Sequence, residues 1–468
     1  MSDPIIVIGA GMGGLCAAIR LAKQGHDVCL LEARKEAGGL AGGLMIEGLS
    51  FDAGPYVLLD RPGLGWIFDE LGLDLDELEL QRIKHVYEVD FGQDEPVRFD
   101  NSLADTADAM ERLASGAGNR YRDFIAATLA TYQRLLPLQR RSSPRPWHLL
   151  ATGAWRDIPF MLRSLSTVMA KSGLPDRIVQ AIAIWTHVAG QSLAEAPPPL
   201  AMVPALIHSY GAYHPKAGIR GITRLLTRAA IEAGVEFRFG TRVQRIQARN
   251  GAVVGVITQD DELIPAKFVI SNVHGLATCL ELIPDLPKRQ REGYEALPLQ
   301  SPGVCAYLAV KSKASPPYLR FYKPADGGPV RLLITPSVLD GLEPVDGWWP
   351  ARLLCPMDHE AARQGGIPGQ EAFLDKALAE PWWREICPDY RLLARRIPHA
   401  WSQEFGLYRD SINPVMTAAF MRRGRLAHRS PHLAGLYLAG SATHPGQWVS
   451  FCGISGILAA DLAREDKW

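Results

Sequence analysis

The sequence predicts an α/β protein built on a buried parallel sheet, with a second, mixed sheet under a helical cover. Three observations carry that prediction. A short apolar run, Ile5 to Ile8, leads straight into the glycine-rich turn Gly9-Ala10-Gly11-Met12-Gly13-Gly14. A second apolar run, Leu436-Tyr437-Leu438-Ala439, leads into another turn, Gly440 to Gln447, near the other end of the chain. The long stretches between them lack this pattern and mix short strands with helical periodicity. At 468 residues, 47% of them hydrophobic, the chain is long enough for two domains and apolar enough to bury both.

Composition excludes some partners. Lys and Arg number 50 and Asp and Glu also 50, so the formal charge is zero and nothing electrostatic favours nucleic acid. The seven cysteines, Cys16, Cys29, Cys279, Cys305, Cys355, Cys387 and Cys452, form no Cys-x-x-Cys pair and have no histidine cluster at metal spacing. They read as buried thiols in a reducing compartment, with no metal expected. Met1 passes directly into the first apolar run without a basic leader or cleavage site, and prolines and charges interrupt every apolar stretch before the roughly 18 residues of a spanning helix. The expectation is a cytoplasmic protein, with attachment to a membrane surface left open and no signature of subunit number.

Taken in order, Ile5 to Ile8 is apolar throughout, as a parallel strand buried on both faces must be. The glycine turn comes next, and beyond it Leu15, Ala18, Ile19 and Ala22 fall on one helical face until Gly25 stops the helix. A second buried strand, Val28 to Leu31, ends at Glu32, about twenty residues past the glycines, where a carboxylate can accept hydrogen bonds from ribose hydroxyls. In this Rossmann-like unit Gly9 allows the tight turn, Gly11 lets the backbone approach a pyrophosphate, and Gly14 lets helix and strand pack closely. The helix start, at Met12 and Gly13, presents unpaired amides to the phosphates. A glycine turn alone is weak evidence; strand, helix, second strand and Glu32 in register make it specific for a dinucleotide.

NAD and FAD share that fingerprint, and the residues beyond Glu32 separate them. Ala33-Arg34, Gly38-Gly39-Leu40-Ala41-Gly42-Gly43 and Phe51-Asp52-Ala53-Gly54-Pro55 stand there in succession. With them the N-terminal sixty residues resemble the signature of the phytoene desaturase and carotene isomerase family, within the larger group that includes flavin amine oxidases. The resemblance implies FAD and a fold of the glutathione-reductase/amine-oxidase type, in which the FAD-binding domain is joined to a mixed-sheet substrate domain. It implies that Glu32, Ala33 and Arg34 hold the adenosine ribose, that Gly39, Leu40 and Ala41 lie along the pyrophosphate, and that Gly54-Pro55 sits beside the isoalloxazine. Many relatives carry arginine where Leu40 stands, so a charged contact near the cofactor is missing here.

The chain returns to this unit twice. Ile222, Leu225, Leu226 and Ala229 predict a helix ended by Gly234, followed by strands Val235 to Phe239, Arg242 to Ala248 and Val253 to Thr258, with Asn250-Gly251 as a hairpin turn. The buried strand Phe268 to Ser271 closes the segment. By resemblance Val243 contacts adenine through its backbone, Asn272 follows the closing strand, and an ordinary strand residue is the alternative for Val243. At the C-terminal end Gly440, Ser441, Gln447, Trp448 and Val449 are implied as cofactor contacts, and a helix starting near Val449, with Ile454, Ile457 and Leu458 on its apolar face, aims its positive end at the flavin. Ser441 stands where some relatives have an acidic ribityl-binding residue, and Trp448 where they usually have glycine. An indole beside the ring narrows or redirects a substrate tunnel, unless it turns outward and only packs.

The resulting domain division is 1–60, 216–284 and 406–468 for the discontinuous FAD-binding domain, and 61–215 with 285–405 for substrate. In the latter, His85 to Phe91 and Cys305 to Val310 read as strands, Tyr121 to Leu136 and Ile158 to Lys171 as helices. The stretch from Trp147 to Val168 mixes aromatic and aliphatic residues with Arg156 and Arg163, the composition of a segment lying on a membrane or of a plain lid. Isolated histidines such as His187 and His208 are not nominated. The resemblance points to desaturation or isomerisation of a hydrophobic polyene, isoprenoid or lipid-like substrate by hydride transfer to FAD. His444 would act as proton acceptor or polar anchor, or only order its turn, and Trp448 and Tyr56 would shape the cavity. The alternatives are oxidation of an amine or amino-acid-derived substrate, and a non-catalytic prenyl-protein carrier on the same fold.

Overall fold

Ile5–Ile8 is apolar at every position because both of its faces are covered. In this computed structural model, which describes residues 3–466 apart from 93, 189 and 325, the strand lies at the centre of a five-stranded parallel sheet. The order is Leu436–Leu438, Val269–Ser271, Ile5–Ile8, Val28–Glu32, Glu236–Phe239, with Ile6 opposite both Val269 and Cys29. Ile5 and Val7 face a helical layer made by Met12–Lys23, Arg61–Leu71, Arg220–Glu232 and Val449–Glu465, and Ile6 and Ile8 face the opposite core. That second core is closed by an antiparallel sheet of Val243–Arg249, Ala252–Thr258 and Leu263–Pro265.

Local chemistry explains the boundaries. The first helix ends before Gly25, whose φ of +85° suits the left-handed turn, and Asn250 and Gly251, at φ +53° and +75°, make the hairpin the sequence predicts. The first and last helices touch backbone to backbone: a Cβ on Gly456 would lie 2.0 Å from the carbonyl oxygen of Gly13. Arg20 fastens the same pair of helices, its Nε donating to Asp461 Oδ1 at 2.9 Å and its Nη2 to Oδ2 at 3.1 Å.

The second sheet has seven strands, in the order Tyr390–Arg396, Val304–Val310, Trp349–Cys355, Arg331–Ile334, Leu319–Tyr322, His85–Asp90, Val97–Asp100, and is parallel only where Leu319–Tyr322 meets His85–Asp90. Cys305, Tyr307 and Leu354 on one face pack against helices that include Leu103–Leu113, Ala117–Gln139 and Val203–Tyr210. Leu308, Leu353 and Cys355 on the other face pack against His359–Ala379 and the buried Trp383.

Two expectations are corrected. Ile158 to Lys171 is not one helix: Ile158–Met161 ends, and Ser164 caps a new helix, Leu165–Ala170, by accepting from Thr167 N at 3.4 Å. The tertiary bond from Leu165 N to Ala196 O at 2.9 Å fixes the break, which periodicity does not register. Residues 235–239 do not join the meander either. Glu236–Phe239 pairs in parallel with Val28–Glu32, and Leu263–Pro265 supplies the third antiparallel strand. Among the described residues no helix is long and apolar enough to cross a membrane.

Candidate functional site

Three parallel strands deliver the site. Ile5–Ile8, Val269–Ser271 and Leu436–Leu438 run side by side in one direction, so Gly9, Asn272 and Gly440 emerge together at one edge of the sheet, where α/β folds bind ligands. Asn272 sits between the two glycine turns. Its Nδ2 donates to Gly9 O at 3.4 Å. A Cβ on Gly11 would stand 2.8 Å from that nitrogen, one on Gly13 2.5 Å from Asn272 Oδ1, and one on Gly440 2.9 Å from the same oxygen. Side chains there would push the two turns apart.

A cavity of about 520 Å³ opens over this junction, within the usual range for a ligand site. At one end lies Glu32, buried, its Oε2 accepting from Ala10 N at 2.7 Å and its Oε1 from Arg34 N at 2.8 Å. The carboxylate is thus fixed in orientation and still has lone pairs for hydroxyl donors. Ala33, Arg34 and Val243 line the same end, with the Arg34 guanidinium over the Phe405 ring at 4.7 Å and 3.3 Å from Glu404. Gly9, Gly11, Met12, Gly13, Gly39, Leu40 and Ala41 continue the wall, followed by Gly54, Pro55 and Tyr56.

The C-terminal turn forms the facing wall with Gly440, Ser441, Gln447, Trp448 and Val449. Ser441 donates to Asn413 Oδ1 at 2.8 Å, and Asn413 Nδ2 donates to Gln447 Oε1 at 3.1 Å. Behind the turn Ser455 Oγ accepts from Gly440 N at 3.0 Å and lies 3.3 Å from Nε2 of the buried His428, whose pKa burial pushes down to about 3. Trp448 lines the cavity and stacks on Phe451 with ring centroids 5.1 Å apart, while packing against the apolar cluster that contains Tyr132 and Leu206. Two helices begin at this cavity, Met12–Lys23 after Gly11 and Val449–Glu465 after Trp448, and neither has a side-chain cap on its first amides. Those free donors and positive dipole ends suit a pyrophosphate and an electron-rich ring, and with the glycine junction and Glu32 they fit a flavin dinucleotide.

Two predicted site residues lie elsewhere. Gly14 is not on the cavity wall; it faces Gly9, whose carbonyl oxygen would be 2.0 Å from a Cβ, so it serves the packing of helix on strand. His444 is also off the wall. Its Nε2 lies 3.0 Å from Leu138 O, and burial beside Arg425 pushes its pKa down to about 4, so it orders the turn and is not placed to accept a substrate proton.

Other wall residues carry no signal at sequence level. Asp60 is a buried carboxylate that accepts from Tyr132 OH at 2.8 Å, Gly63 N at 3.1 Å and Ser450 OH at 2.7 Å. Its place before Arg61-Pro62 marks it only as a helix cap. Arg352 is a single charge within the apolar strand Trp349–Cys355, which is the one hint the sequence holds. His187, left unnominated, lines the cavity, and burial with Lys323 nearby pushes its pKa down to about 4. Leu64, Trp185, Leu200, Val203 and Leu354 add apolar side chains to the wall.

Comparison with known proteins agrees with this geometry. A family model described as FAD dependent oxidoreductase matches residues 4–462. A zeta-carotene-forming phytoene desaturase of Myxococcus xanthus is 29% identical over 323 residues, covering 66% of this chain and 60% of that protein. A carotenoid 3,4-desaturase of Haloarcula japonica is 24% identical over 493 residues, covering 99% of this chain and 98% of that one. Among solved structures, an oxidoreductase from Methanosarcina mazei superposes with a TM-score of 0.68 at 18% identity, over 98% of this chain and 100% of its own. A putrescine oxidase variant does so with a TM-score of 0.63 at 18% identity, over 99% of each chain.

Proposed function

Since the chain belongs to the FAD-dependent oxidoreductases, by a match spanning residues 4–462, we propose that it desaturates or isomerises a hydrophobic polyene, isoprenoid or lipid-like substrate. The observation that carries this reading is the cavity itself, in which a polar dinucleotide cradle runs on without a break into a wall of Leu64, Trp185, Leu200, Val203 and Leu354. Relatives named as carotenoid desaturases support the choice of substrate class.

FAD, when bound, accepts a hydride, the chemistry that no side chain of the protein supplies. In this reading Gly9, Gly11, Met12, Gly13, Glu32, Ala33, Arg34, Gly39, Leu40, Ala41, Gly54, Pro55, Val243, Asn272, Gly440, Ser441, Gln447, Trp448 and Val449 hold it. Residues 1–60, 216–284 and 406–468, together with the helix Arg61–Leu71 that packs on the same sheet, form its domain, and the rest of 61–215 with 285–405 forms the substrate domain. The apolar wall orients the substrate chain and excludes water. Trp448 and Tyr56 set the width of the passage. Desaturation removes one hydrogen as hydride and its neighbour as a proton, leaving a new C=C bond. In this reading Asp60, a buried carboxylate on the cavity wall, is the group that takes that proton.

The test is anaerobic mixing of the purified yellow protein with polyenes and, separately, with amines. Bleaching of the flavin absorbance by a polyene and not by amines is expected; the reverse result makes it an amine oxidase, the second reading, which the likeness to putrescine oxidase keeps in view. A match to oxidoreductases sets aside the non-catalytic carrier.

Such a substrate dissolves in lipid, and residues 147–162 present the surface that would meet it. Trp147 is 54% exposed, Leu150 65%, Trp155 49% and Leu162 56%. Arg145 and Arg156 are exposed beside them, while the acid of the segment, Asp157, is buried against Arg134 at 2.6 Å. Apolar side chains flanked by uncompensated cations suit an anionic membrane surface.

A further inference from the structure

Four arginines are buried among the described residues, and three of them have a carboxylate partner: Arg320 with Glu88 at 3.3 Å, Arg331 with Glu380 at 2.6 Å, and Arg396 with Glu404. Arg352 has none. It is 4% exposed, stands on the strand Trp349–Cys355 and lines the cavity. Its Nη1 donates to Asp52 O at 2.7 Å and its Nη2 to Gly54 O at 3.0 Å, while Nε has no partner. The nearby Asp52 carboxylate is engaged elsewhere, its Oδ1 accepting from Ile219 N at 2.7 Å and its Oδ2 lying 2.8 Å from His214 Nε2. The ring faces of Tyr56 and Tyr307, centred 5.8 and 6.0 Å away, and the Cys305 thiol also attend the cation, with the Asp52 carboxylate acting on it from beyond ion-pair distance.

A buried cation without a directly paired carboxylate is costly, and folds keep one where a ligand brings the opposite charge. We propose that the charge completing Arg352 is the one FAD acquires on reduction, and that Arg352 is the residue that raises the cofactor's electron affinity. The proposal rests on the FAD-dependent reading of this cavity. The two backbone carbonyls hold the guanidinium in place but leave its charge largely intact, because a neutral acceptor solvates a cation without cancelling it. A bound flavin that took up a hydride would gain one net negative charge, and Arg352 would offer it a cation already fixed on the wall, with no reorganisation required.

The test compares the holoprotein with Arg352→Gln, which retains donors for the carbonyls without the charge, and Arg352→Lys, which retains the charge. The readouts are the midpoint potential of the bound flavin and its affinity for sulfite, an anion whose addition to oxidised flavin reports positive charge beside the ring. Arg352→Gln is expected to lower the potential and to weaken sulfite binding by about tenfold or more, the equivalent of one charge-assisted contact, and Arg352→Lys to restore most of both. A yellow Arg352→Gln protein with unchanged potential and sulfite affinity overturns the proposal and leaves Arg352 as a brace for the turn at Gly54. Should that variant fail to fold, the unaltered protein decides: a bound potential above that of free FAD supports the assignment and one below it overturns it. A colourless, flavin-free preparation is a different failure, that of the functional reading beneath.

Discussion

Glu32 shows how much one side chain can announce about itself. Its distance from the glycine turn and its place at the end of an apolar run identified it in the sequence, because strand, turn and helix are all local and fix the geometry between them. The structure adds the two backbone amides, of Ala10 and Arg34, that lock the carboxylate in orientation. Glu32→Ala is therefore expected to raise the flavin dissociation constant by about tenfold or more, the loss of charge-assisted hydrogen bonds to ribose, measured by ultrafiltration of the released cofactor. Undiminished occupancy would remove Glu32 from the ribose site. Asp60, Arg352 and Asn413 were not legible in the same way. Each reaches the cavity through contacts spanning tens to hundreds of residues, as in Ser450 to Asp60 and Arg352 to Gly54, and no local pattern encodes such a contact. For His444 the structure favours the turn-ordering alternative: its neighbours in sequence line the cavity, but its own ring is drawn back to Leu138.

At the scale of elements, periodicity located the strands and helices that are buried on a continuous face and failed where tertiary bonds interrupt one. Met12–Lys23, Arg220–Glu232 and Val449–Glu465 were each legible from their apolar stripes. The break at Arg163 and Ser164 was not, since a bond to Ala196 decides it, and neither was the pairing of Glu236–Phe239 with Val28–Glu32. The crossing of the first and last helices was also out of reach, although glycines on both helices, Gly13 and Gly456, are what permit it. Gly456 leaves no room for a methyl group against Gly13, so Gly456→Ala should separate the two uncapped helix starts. A destabilisation of about 1–3 kcal/mol is expected, together with flavin loss. Thermal melts of the apo and holo forms would show it, and an unchanged melting temperature would mean that the helices can slide apart without consequence.

For the whole molecule, the sequence foresaw two turns converging on one site and a mixed sheet under helices, but not how the surface is organised. Five of the large apolar side chains that remain exposed, Trp147, Leu150, Trp155, Ile158 and Leu162, fall within one short stretch. The Trp147→Ser, Trp155→Ser double variant is expected to cosediment several-fold less with phosphatidylglycerol vesicles than the unaltered protein, each exposed indole contributing about 1.5–3 kcal/mol when buried in lipid. Equal cosedimentation would assign that surface to another role. The order of the parallel sheet bears on how the molecule is made. Ile5–Ile8 leaves the ribosome long before its neighbour Val269–Ser271, and Leu436–Leu438 follows later still. During translation Ile5–Ile8 must wait with one edge unpaired, and the cavity wall stays incomplete until Val449–Glu465 has emerged.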